Sequence, residues 1–179
     1  MKKKFTIRQR LMLPIILLGV VALISNVLSV FSINNVNSNA SKIVDNNMVG
    51  SETLQNIRQT TTNIHKMALS HIVATDYNTM ITVVAQIKEE ERKLETYLNT
   101  YKKYVKDEEA IYVQLLENYE SFKHALVYLV CASADSKTQN AYTYANTDVA
   151  NFGSAITGNA DQLYAAVSKR TSDARQKLM

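Results

Sequence analysis

The sequence has little of what punctuates a chain built from strands and short loops. One proline (Pro14) and four glycines occur among 179 residues, and tryptophan is absent. Proline and glycine mark hairpins and tight loops, so their scarcity argues against a sandwich or a Rossmann sheet. Gly-rich phosphate loops and a G-x-S-x-G elbow are missing as well. A single cysteine, Cys131, excludes an intramolecular disulfide. His124 and Cys131 are seven apart on one predicted helix, but two ligands do not make a zinc site. No paired catalytic constellation is visible. The expectation is a non-catalytic, all-α chain without metal or cofactor.

Acidic residues are missing from the head of the chain. Lys2, Lys3, Lys4, Arg8 and Arg10 stand there unopposed, and the other 169 residues carry 15 basic and 16 acidic side chains. The net charge of +4 is therefore a terminal tag, which excludes the basic face of a nucleic-acid binder. Directly after the tag, Leu11 to Phe31 holds only Ser25, Asn26 and Ser29 as polar residues. A helix of this length rises about 31 Å, close to the ~30 Å hydrocarbon core of a bilayer. The run exceeds the ~7–15 apolar residues of a cleaved signal and lacks a clear cleavage site. It predicts an uncleaved transmembrane helix over 11–31, touching membrane lipid, with residues 1–10 cytoplasmic by the positive-inside rule and 32–179 extracytoplasmic.

Beyond the span, the apolar pattern is helical. Ile33, Val36, Ala40, Ile43, Asn47, Gly50, Leu54, Ile57, Thr61, Ile64, Ala68 and His71 step alternately by three and four, as in a coiled-coil seam. Asn47, Gly50 and Thr61 weaken it, so it needs other helices. Thr75-Asp76 offers an N-cap and a break before a second stripe from Tyr77 through Met80, Val84, Ile87, Glu91, Leu94, Leu98 and Tyr101 to Val105. Asp107 is the expected cap of a third helix, with Glu108 and Glu109 at the positive end of its dipole. Ser136-Lys137-Thr138-Gln139 has capping-box spacing for a fourth, whose stripe runs from Tyr142 through Ala145, Val149, Phe152, Ile156, Asn159, Leu163 and Ala166 to Arg170. The predicted helices span 32–74, 77–105, 108–133 and 137–179. Short connections make neighbours antiparallel. The equal lengths of the first and last arms predict that Met179 returns to the level of Ser32, as in a chain cut before a second span.

This architecture, together with segments such as Leu54-Gln55-Asn56-Ile57-Arg58 and Ala68-Leu69-Ser70, resembles the four-helix-bundle ligand-binding domain of methyl-accepting chemotaxis proteins. Similar bundles head histidine kinases and diguanylate cyclases. The resemblance implies a homodimer, a small-molecule ligand at the distal interface, and signalling by helix displacement to a cytoplasmic part that this sequence lacks. It also implies that Arg58, as a helix 1 arginine, could hold a ligand carboxylate by bidentate pairing. A solvated helix arginine is the plainer alternative. His65, Tyr142, Tyr144 and Asn146, with Asn140, form a distal polar and aromatic set that suits a pocket or core-edge packing. His65 and His71 lie about 120° apart around a helix and cannot share a metal. His71 is a potential pH sensor or a packed core histidine. A second reading is a membrane-tethered structural bundle that ends at Met179.

Overall fold

A computed structural model describes residues 7–176. Lys2 to Lys4 and Lys177 to Met179, and with them the expected end point of the chain, lie outside these residues. Helix α1 (Ile7–Val73) is a single helix of 67 residues, about 100 Å long. It is followed by α2 (Tyr77–Tyr101), a 3₁₀ turn (Lys102–Tyr104), α3 (Glu109–Ala134), α4 (Thr138–Tyr144), a π turn (Ala145–Val149) and α5 (Ala150–Gln176). No strand occurs among the described residues. Together α4, the π turn and α5 form the fourth arm of an all-α four-helix bundle, as the sequence predicts.

The seam on α1 is occupied from Asn47 upward. Asn47, Gly50, Leu54, Ile57, Thr61, Ile64, Ala68 and His71 are all buried. The core threonine is tolerated because its hydroxyl is satisfied by its own helix: Thr61 Oγ1 donates to Ile57 O at 2.8 Å. Below Asn47, the seam residues Ile33, Val36 and Ile43 are exposed. The apolar run is likewise exposed from Ile15 to Phe31. It is long and apolar enough to cross a membrane.

Elsewhere the stripes differ in detail. On α2, Val83 rather than Val84 is buried, and Tyr77 is exposed. Glu91 is half-buried at the seam, and its burial pushes the carboxyl above the ordinary range. On the fourth arm, Ala141, Ala145, Val149 and Gly153 are buried while Tyr142 is exposed. Steps of four drift around an α-helix, and the wider π turn at Ala145–Val149 absorbs the drift. Gly153 sits at a close approach: a Cβ there would lie 3.3 Å from the Phe122 ring, which would have to give by a few tenths of an ångström.

Two expected caps are replaced. Asp76 does cap α2, accepting from Thr79 N at 2.8 Å. Asp107 does not cap α3: Glu108 stands at the N-cap without a side-chain capping bond. Ser136 does not cap α4 either. It adopts φ 59°, with Ser136 N donating to Ser133 O and Lys137 N to Ala132 O at 3.1 and 2.9 Å. These are the paired bonds of a Schellman motif, so Ser136 closes α3 instead of opening α4.

At its last described residue, Gln176, the fourth arm shares a groove with Asp45 and Met48 of α1.

Candidate functional site

The fourth arm meets α1 through two polar contacts at different heights. Arg58 Nη1 lies 3.1 Å from Asp161 Oδ1, with both side chains about half exposed. Gln55, Gln59, Thr62 and Thr157 complete a polar cleft of about 510 Å³ around the pair. One heptad higher, His65 Nε2 donates to Ala145 O at 3.1 Å, where the π turn begins. Seven residues separate Arg58 from His65, so both lie on the α1 face that meets the return arm, about 10 Å apart along the axis.

The other distal candidates do not converge with Arg58. Asn146 Nδ2 donates to Tyr142 O at 2.8 Å and so binds its own helix. Tyr144 stacks on Tyr128 with ring centroids 6.0 Å apart, which is the packing alternative. Tyr142 and Asn140 are exposed. His71 is buried and bonded through Nδ1 to Ser133 Oγ at 2.9 Å, and burial lowers its pKa. His124 and Cys131 are both exposed. No group of three His, Cys, Asp or Glu side chains with metal-holding geometry occurs among the described residues.

Sequence reasoning missed a third contact, at the proximal end. Arg170 Nη1 donates to both oxygens of Glu108 at 2.6 and 2.7 Å, and Nη2 to Tyr104 O at 3.4 Å. This ties α5 to the connection between α2 and α3. Burial alone would raise the Glu108 carboxyl, but bonding to Arg170 and its charge outweigh burial and hold it below the ordinary value. Tyr101, wholly buried beside the pair, has its phenol pushed up to about 12 by burial, partly offset by the charge of Arg170. The signal available in the sequence was Arg170 itself, a charge on a core stripe that needs a partner. Its partner Glu108, and Asp161 opposite Arg58, are too remote in sequence for spacing to reveal.

A long helix with an apolar run thus continues into a bundle whose first and fourth arms are joined by polar contacts. The family described as the four helix bundle sensory module for signal transduction matches residues 4–178. The chain belongs to this family. The comparison with curated proteins found no match. As a sensory module, the chain functions in signal transduction, and its helices provide the scaffold for receiving a signal.

Proposed function

We propose that this sensory module is the extracytoplasmic part of a bacterial transmembrane receptor of the methyl-accepting chemotaxis type. In this reading residues 11–31 cross the membrane, residues 1–10 are cytoplasmic and residues 32–179 lie outside. The supporting observation is the continuity of α1. One unbroken helix carries both the apolar run and the first arm of the bundle, so a displacement of that arm is passed to the span without an intervening hinge. The basic head supports the orientation.

The module pairs with a second copy along α1. Ile33, Val36 and Ile43 continue the seam at three- and four-residue spacing and are exposed, and a partner helix would bury them. A small anionic ligand enters the cleft at Arg58 and displaces Asp161. An exposed ion pair contributes only about 0–1 kcal/mol, so the exchange costs little. Losing this contact frees the return arm to shift against α1, by the ~1–2 Å typical of helix-shift switches.

The test is a thermal-shift screen of the full chain in detergent micelles against amino acids, organic acids and amines. A ligand at 100 times its Kd adds about 2.7 kcal/mol to the folded state and raises the melting temperature. Arg58→Ala removes the shift given by a carboxylate ligand. A shift that survives the substitution rejects Arg58, and no shift with any compound rejects direct sensing of these classes.

A further inference from the structure

Three buried side-chain atoms have no hydrogen-bond partner among the described residues: Asn47 Nδ2, the Tyr101 hydroxyl and Arg170 Nε. They come from α1, α2 and α5, yet all three residues flank Tyr104. Asn47 lines a groove with Tyr104. The Tyr101 and Tyr104 rings lie 6.2 Å apart, and Arg170 Nη2 donates to Tyr104 O at 3.4 Å. Each of the three atoms can donate a hydrogen bond. The proximal end of the bundle therefore holds more donors than acceptors, and an unmet buried donor is costly.

The groove beside Tyr104 opens where α1 meets the connection between α2 and α3. Its volume is about 260 Å³, several times the ~30 Å³ of a water molecule. Asn46 and Asn47 line it from α1, and Lys103 and Lys106 from the connection. Asn47 is 7% exposed, so its amide is held by the fold. Both lysines are exposed, and neither lies within ion-pair distance of a carboxylate among the described residues. Lys103 Nζ stands 5.0 Å from the Tyr104 ring centroid. Two ammonium groups and an amide donor ask for an occupant with several acceptor oxygens and negative charge.

We infer that this proximal groove binds a small, multiply charged oxyanion, phosphate being the simplest, held by Lys103, Lys106 and the Asn47 amide. Bound there, the anion ties α1 to the α2–α3 connection, which Arg170 already ties to α5. Its source is solution rather than lipid. Asn47 stands 16 residues beyond Phe31 on one helix, about 24 Å, whereas headgroups extend only about 5–8 Å past the hydrocarbon core. The site shares no residue with the Arg58 cleft and does not rest on that reading.

The test uses the full chain, ¹⁵N-labelled at asparagine, in phosphatidylcholine nanodiscs. Sodium phosphate replaces chloride at constant ionic strength and neutral pH. The Asn47 side-chain amide resonance, assigned by its loss in Asn47→Asp, is expected to move saturably. Lys103→Gln combined with Lys106→Gln should weaken binding by about tenfold or more. Lys66→Gln combined with Lys169→Gln, at exposed positions away from the groove, should leave it unchanged, as should Arg58→Ala. Nanodiscs containing phosphatidylglycerol separate the two sources of anion, and the same phosphate response is expected in them. The inference is overturned if the resonance does not move saturably, or if the Lys103 and Lys106 double variant binds phosphate as well as the unaltered chain. It is also overturned if phosphatidylglycerol alone saturates the response.

Discussion

Arg170 and Glu108 show what a charged pair does when only about a fifth of each side chain meets solvent. Removing one partner leaves the other desolvated and unpaired, whereas removing both removes the cost as well. Arg170→Ala should therefore destabilise the bundle by about 2–4 kcal/mol at pH 7, and Arg170→Met combined with Glu108→Leu by less than about 1 kcal/mol, as read by urea unfolding in mild detergent. The pH dependence has a definite sign. The folded Glu108 carboxyl titrates below its unfolded value of 4.5, so its contribution is full above that value and fades as pH falls below it. The Arg170→Ala loss should shrink correspondingly in acid. A loss of equal size in the single and double variants would contradict the paired account. Ser136 offers a second check. At φ 59° its side chain opposes a left-handed conformation that glycine adopts freely. Ser136→Gly should raise stability by about 0.5–1 kcal/mol. A fall would restore the serine to a capping role.

Among the elements, α1 divides in function at about Asn47. Above that residue its seam faces other helices of the chain, and below it Ile33, Val36 and Ile43 are exposed. If a second copy covers them, Val36→Cys in a Cys131→Ser background should form disulfide-linked dimers in native membranes. Ser38→Cys, about 160° round the helix, should cross-link far less. Equal cross-linking at both positions, or none, would contradict pairing along this face. The α1 seam was legible in the sequence because alternating steps of three and four fix one face of a helix wherever it lies. The fourth arm was legible only in part. Ala141, Ala145, Val149 and Gly153 step by four throughout, a pattern that a regular α-helix cannot hold on one face. The large aromatic Tyr142 drew the stripe to the wrong start, while the small alanine beside it does the packing. Likewise Ser136-Lys137-Thr138-Gln139 satisfies a capping-box pattern, yet the end of α3 captures the serine first. Local strings do not record which of two adjacent helices takes a residue.

At the scale of the whole molecule, composition was enough to read the fold class, because few residues in this chain can interrupt a helix. The sites were less legible. His65, Tyr144 and Arg58 stood out as candidates by residue type, but their partners Ala145, Tyr128 and Asp161 come from other arms. Those pairings depend on helix rotation and offset, which spacing within one segment does not specify. The account requires that the bundle lie outside the cytoplasm, joined through α1 to a span with its basic end inside. Cys131 supplies a native probe, being the only cysteine in the sequence and exposed on α3. The most direct measurement is labelling of Cys131 by a membrane-impermeant maleimide in intact spheroplasts. The account predicts full labelling before lysis, and none in Cys131→Ser. Labelling that appears only after lysis would place the bundle in the cytoplasm and contradict it.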